Sequence, residues 1–255
     1  MSSYRVGLLV PSSNTTMETE VPEVLRRVGA ETRDRFTFHS SRMRMKTVSA
    51  SELAAMNVDA DRAAVELADA SVDVMAYACL VAIMAQGRGK HREIEKRLAK
   101  ISADAGDPVD VVSSAGALVA GLHHIGARKV SIVAPYVKPL TARVVDYIEG
   151  EGIEVQDAIS LEVEDNLAVG RLDQGQLPEI ACRLDIGGAD AVVLSACVQM
   201  PSLDAISAAE AAVDLPVLTA ATATSWKVLS ALGAYAPVPD SGALFRPDFR
   251  SFAAS

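Results

Sequence analysis

Two segments of this chain recur in the same order, and that repeat restricts the fold more than any other feature. Tyr4-Arg-Val-Gly-Leu-Leu-Val-Pro11 is matched by Arg128-Lys-Val-Ser-Ile-Val-Ala-Pro135, an aliphatic run ended by proline. Val72-Asp-Val-Met-Ala-Tyr-Ala-Cys79 is matched by Ala189-Asp-Ala-Val-Val-Leu-Ser-Ala-Cys197, an aliphatic run ended by cysteine. The proline-to-cysteine spacing is nearly equal in the two copies. Short apolar runs alternating with longer amphipathic stretches suit a parallel sheet covered by helices, whose strands are buried on both faces. The expectation is an α/β chain made of two similar halves.

The strands are expected at Tyr4–Val10, Phe36–Met43, Val72–Tyr77, Val109–Ser113, Lys129–Ala134, Ile153–Leu161, Ala191–Ser195 and Val217–Leu218. Helices are expected at Thr15–Arg27, Ala50–Ala70, His91–Lys100, Ala115–Ile125, Leu140–Gly150, Asp173–Ile186, Asp204–Val213 and Ala221–Leu232. Gly126, Gly152, Gly187 and Gly188 stand where helices should stop. No low-complexity linker separates the halves, so they should pack closely.

At 255 residues the chain can bury a core without disulfide or metal staples. Its 24 basic against 33 acidic residues give a formal charge of −9. With no long basic run, nucleic acid and anionic membrane are poor partners. The longest apolar run, Val74 to Ala85, is too short to span a bilayer, and the N-terminal run lacks a signal-peptide core. A cytoplasmic chain is expected. Three cysteines then read as thiols rather than as a disulfide framework.

Ligands of parallel sheets bind beyond the carboxyl ends of the strands. All four repeat landmarks fall there: Pro11 with Ser-Ser-Asn14 after it, Cys79, Pro135 with Tyr136 after it, and Cys197. A pseudo-twofold arrangement sets Cys79 and Cys197 opposite each other across one cleft. Backbone N–H groups after each cysteine should lower its pKa and bind carboxylates. A single cysteine in an aliphatic strand is ordinarily a small buried hydrophobe, and Cys182, inside a helical stretch, is read that way. Asn14 and Asn166 taken singly could be turn or cap residues, and Tyr136 plain packing. Gly87-Arg-Gly-Lys90 lacks phosphate-loop spacing, and no G-x-G-x-x-G follows a strand. His39, His91, His123 and His124 show no metal-ligand spacing. Thiol chemistry without metal or organic cofactor is what remains.

Val10-Pro-Ser-Ser-Asn-Thr-Thr-Met-Glu-Thr-Glu20 resembles the opening of the bacterial maleate cis-trans isomerases. Ala78-Cys-Leu-Val81 and Ser195-Ala-Cys-Val-Gln-Met-Pro-Ser202 resemble that family's two cysteine segments. The family lies in the aspartate/glutamate racemase superfamily, with arylmalonate decarboxylases. The resemblance implies two Rossmann-like domains with parallel sheets related by pseudo-twofold symmetry and the active site between them. The first would take residues 1–115 plus 221–255 and the second 116–220, with the last helix returning to the first domain. Cys79 would be the nucleophile and Cys197 the proton carrier. Asn14, Tyr136 and Asn166 would hold the substrate carboxylates, with the backbone N–H groups of Leu80, Val81, Val198 and Gln199.

The activity implied is cofactor-independent conversion of maleate to fumarate through a succinyl-cysteine, in a homodimer. Three alternatives stay open. A racemase would use both cysteines as bases, an arylmalonate decarboxylase needs one, and a non-catalytic dicarboxylate-binding protein needs neither. A loop near Arg42–Thr47 or Gln86–His91 should cover the site.

Overall fold

The computed structural model describes residues 1–247. The first half runs β1 (Ser3–Pro11), α1 (Met17–Thr32), β2 (Arg35–Met43), α2 (Ala50–Asp69), β3 (Val74–Tyr77), α3 (Leu80–Met84), α4 (Lys90–Asp104), β4 (Asp110–Ser113) and α5 (Ser114–His124). The second runs β5 (Lys129–Ala134), α6 (Lys138–Glu149), β6 (Glu154–Ser160), α7 (Asn166–Val169), α8 (Leu177–Ala181), β7 (Ala191–Ser195), α9 (Ile206–Val213), β8 (Val217–Thr219) and α10 (Ala220–Ala231). The halves form two four-stranded sheets, ordered β2-β1-β3-β4 and β6-β5-β7-β8. Every strand pair within them is parallel. The two orders are the same order, so the sequence repeat is a structural one.

The physical cause is visible strand by strand. Val6 to Pro11 of β1 and all of β3 and β7 are buried, as interior strands of a helix-covered sheet must be. The α1 helix buries Met17, Val21, Val24, Leu25 and Val28 at helical spacing, and this stripe carries it through Pro22 to Thr32, beyond the expected end at Arg27. Ser113 and Thr219, which end β4 and β8, cap the helices that follow by accepting from the N–H of Gly116 and Thr222. Those helices, α5 and α10, pack on each other, with His124 against Trp226 at 4.8 Å between ring centroids. The α10 helix also packs on α1, β3 and β4. Residues 248–255, part of the expected 221–255 segment, lie outside the described residues.

Two expectations fail. The stretch Asp173–Ile186 is not one helix but a 3-10 turn, Gln174–Gln176, followed by the short α8. Gly175 sits in the turn and Pro178 brings no N–H to a continuous helix. Cys182 consequently ends α8 and is exposed rather than buried. Two short helices, α3 and α7, form where no helix was expected. Among the described residues no helix is long and apolar enough to cross a membrane.

Candidate active site

The carboxyl ends of β1, β3, β5 and β7 converge on one small cavity. Its lining is Pro11 and Asn14, Met45 and Val48, Cys79, Leu80 and Val81, Tyr136, Asn166, and Cys197, Val198 and Gln199. Every site residue expected from the sequence is therefore in this one place. The space left between them is about 10 Å3, room for about one water. Larger surface grooves exist, one of about 580 Å3 between α1 and β2, but neither Cys79 nor Cys197 lines that groove.

Cys79 joins β3 to α3 with φ of 112°, and the other non-glycine residues of positive φ cluster between 49° and 65°. A side chain at that φ is strained by about 1–3 kcal/mol, a cost tolerated where the chain must turn sharply at a site. Cys79 is 6% exposed and Cys197 5%. Burial pushes the Cys79 thiol up to about 12, outweighing the Ala82 N–H that favours the thiolate, and the neighbouring Cys197 adds to the rise. Cys197 is also raised by burial, against donation from the Tyr136 hydroxyl and the N–H groups of Gln199 and Met200. The backbone N–H groups act in the expected direction on both thiols, but burial outweighs them and the net shift is upward. Desolvating a thiolate costs more than these few donors return.

The two sulfurs differ in company. Cys197 receives the Gln199 N–H at 3.4 Å, and its loop is held by Ser195 Oγ, which donates to the Cys197 carbonyl at 2.8 Å. Cys79 stands at the start of α3, where the N–H groups of Leu80 and Val81 have no helical carbonyl to reach. Asn14 Oδ1 accepts from Thr16 N and Met17 N, both at 3.0 Å, capping α1 and leaving Nδ2 as the donor. Asn166 Nδ2 donates to Ser13 Oγ at 2.8 Å, joining the halves. Tyr136 is 3% exposed; burial first, then the two neighbouring thiols and the hydrogen bond of its hydroxyl to Cys197, keep the phenol neutral.

Met45 and Val48 form a wall of the cavity that no motif in the sequence marked. They belong to the segment after β2, whose Arg42–Thr47 part was expected as a cover. Met45 N and O exchange hydrogen bonds with Ser12 Oγ at 3.0 and 3.1 Å, and Thr47 bridges to Asp165 of the other half. The alternative cover, Gln86–His91, contributes nothing to the cavity; His91 is instead buried against Tyr147 of α6. Glu20 was also missed. Its buried carboxylate accepts from Ser202 N at 2.5 Å and Leu203 N at 2.8 Å, tying α1 to the end of the Cys197 loop. A glutamate in a helical stretch carries no sequence sign of such burial. Among the described residues no group of three His, Cys, Asp or Glu side chains could hold a metal ion.

Comparison with known proteins gives a consistent result. A family model described as arylmalonate decarboxylase matches residues 6–245. The maleate isomerase of Pseudomonas putida KT2440 is 57% identical over 241 residues, 94% of this chain and 96% of that protein. A crystal structure of the maleate isomerase of Pseudomonas putida S16, a cysteine-to-alanine variant with maleate, superposes with a TM-score of 0.94 at 51% identity, covering 95% of this chain and 97% of that one. A cysteine-to-serine variant of the Nocardia farcinica maleate cis-trans isomerase, with a covalently bound succinylcysteine intermediate, superposes with a TM-score of 0.92 at 46% identity, covering 96% and 98%.

Proposed function

The chain belongs to the maleate isomerases of the arylmalonate decarboxylase family, and on that premise we propose that Cys79 is the nucleophile and Cys197 the acid-base partner in the conversion of maleate to fumarate. One observation supports the assignment above others: two buried thiols, placed by equivalent strands, line a single cavity with Asn14, Tyr136 and Asn166.

The double bond of maleate must become single long enough to rotate. Sulfur of Cys79 adds to C2, and the π electrons move toward C3 and the carboxylate conjugated with it. Cys197 delivers its proton to C3, and the Cys79 proton replaces it on the Cys197 sulfur. The net change is addition of S–H across C2=C3, giving a succinyl-cysteine with no charge left on either thiol. That balance suits a site where burial disfavours both thiolates. After rotation about C2–C3 the exchange runs in reverse: Cys197 passes its proton to the departing Cys79 sulfur and takes up the C3 proton, so fumarate leaves with both thiols restored. The reaction needs no cofactor.

The substrate dianion would be held by neutral donors. The free Nδ2 of Asn14 and the amides opening α3 point the recognition toward carboxylates, and a dry cavity strengthens such donors. The larger donor set around Cys197, from Tyr136, Gln199 and Met200 against Ala82 alone at Cys79, suits a sulfur that takes and returns a proton. Arylmalonate decarboxylation needs only one thiol, so the second buried cysteine weighs for isomerisation. We divide the chain as residues 1–115 with the α10 segment against residues 116–220, because α10 packs on α1, β3 and β4.

Proton NMR of purified protein with maleate and no added cofactor tests the whole reading. Loss of the maleate vinyl signal with growth of fumarate is expected, and Cys79→Ser should lower turnover by at least about 1,000-fold. Turnover retained by Cys79→Ser would remove it as nucleophile.

A further inference from the structure

The side chain of Gln199 does something its neighbours in the cavity wall do not. A primary amide has two N–H donors and two acceptor positions. Here all four are used within the protein. Oε1 accepts from Thr15 N at 2.9 Å and Thr16 N at 3.3 Å. Nε2 donates to the Ser13 carbonyl at 3.1 Å and the Asn166 carbonyl at 2.8 Å. Backbone donors on one side and carbonyls on the other permit only this orientation of the amide. The residue is 1% exposed. A saturated, buried amide has no donor to offer a substrate carboxylate, unlike the Asn14 amide with its unused Nδ2.

A second feature points to the same side chain. Gly170 ends α7 with φ of −68°, a conformation any residue adopts, so backbone freedom does not account for a glycine there. A Cβ on Gly170 would lie 2.5 Å from Gln199 Nε2 and 3.1 Å from its Cδ. The missing side chain is the space the Gln199 amide occupies.

We infer that the Gln199 side chain is a positioning residue: a four-bond clamp, seated over Gly170, that sets the spacing between the Asn14 turn, the Asn166 helix and the Cys197 loop. This rests on the reading of Asn14 and Asn166 as the carboxylate binders. The clamp joins the turn that leads into α1 of the first half to α7 and the cysteine loop of the second. Its loss would therefore move binding groups relative to one another while leaving each in place on its own element.

The test uses Gln199→Glu and Gly170→Ala in the full chain, with maleate KM, kcat, thermal midpoint and pH profile measured beside the wild type. Ionised glutamate keeps the acceptor side but cannot donate to the Ser13 and Asn166 carbonyls; protonated, it regains one donor. Expected for Gln199→Glu is a KM raised about tenfold or more at neutral and alkaline pH, with kcat changed by less than about threefold. That KM should fall back toward the wild-type value as pH is lowered through the new carboxyl. Gly170→Ala should raise KM in the same direction by a smaller factor and without the pH dependence. A merely structural role lowers the thermal midpoint and moves neither the KM split nor the pH profile. Wild-type KM in both folded variants at every pH overturns the clamp, and if Gln199→Glu does not fold, an unchanged KM in Gly170→Ala does so alone. A wild-type protein that does not turn over maleate overturns the reading beneath the clamp, and the clamp's role with it.

Discussion

Cys79 and Cys197 show how far a residue's surroundings can reverse its ordinary chemistry. Helix N-termini and nearby N–H groups usually make a thiol more acidic. In this cavity the desolvation of sulfur outweighs them, and Cys79 is carried up to about 12. Alkylation of Cys79 by iodoacetamide in the free protein should therefore rise about tenfold per pH unit through pH 9, with no plateau. The measurement is made by mass spectrometry in a Cys182→Ser background, because exposed Cys182 would otherwise react as well. A plateau near neutral pH would show a stabilised thiolate and would favour direct attack over the coupled proton transfer proposed above. Cys182→Ser itself should leave turnover unchanged, since Cys182 is exposed, lies outside the cavity lining and donates to the Ala212 carbonyl at 3.9 Å.

At the scale of elements, loops and short helices rather than strands were the hard part to read. The expected strands all form, displaced by no more than two residues at either end, because a buried parallel strand is written as a continuous aliphatic run. The helix expected across Asp173–Ile186 is interrupted between the Gln174–Gln176 turn and α8, which has Pro178 in its first turn, and α3 and α7 are too short to show periodicity. Packing between elements also hid Glu20, whose carboxylate stands where α1 meets the turn before α9. Glu20→Ala should cost about 2–4 kcal/mol in urea unfolding, because two buried N–H groups lose their acceptor. Burial raises the Glu20 pKa above its ordinary 4.5. Its contribution to stability is therefore fully present below pH 4.5 and diminishes as pH rises through the folded value. Glu20→Gln should flatten that part of the wild-type stability curve, and an unchanged curve would place the titration elsewhere.

For the whole molecule, what matters is how the two halves meet. On one side of the cleft Gln199, Asn166 and Glu20 tie α1 to the second sheet. On another, α4 meets α6, where His91 bonds Tyr147, Arg88 pairs with Asp146 and Arg92 with Glu151. The Arg88–Asp146 pair is exposed at both ends and worth little, whereas Arg92 donates two hydrogen bonds to Glu151, whose side chain is only 8% exposed. His91 is 7% exposed, and burial holds its imidazole below the ordinary 6.5. The unfolded chain takes up that proton first, so stability should fall as pH drops from about 6.5 through the lower folded value. His91→Gln should lessen this loss, as read by thermal midpoints between pH 5 and 8. Tyr147→Phe, which leaves the imidazole without its partner, should lower stability by about 1–3 kcal/mol.

The duplicated strand pattern by itself determined two similar parallel halves and the placing of Asn14, Cys79, Tyr136 and Cys197 at strand ends around one cleft, while Asn166 came in only through the resemblance to the isomerase family. It could do so because strand burial and loop position are properties of adjacent residues, which the chain carries in its alternation of aliphatic and amphipathic runs. Only the tertiary structure decided the protonation of the thiols, the exposure of Cys182, the wall made by Met45 and Val48, and the use of the Gln199 amide as a clamp. Each of these depends on how much water two distant segments exclude when they meet. Desolvation is a property of the assembled volume, and no stretch of sequence contains it.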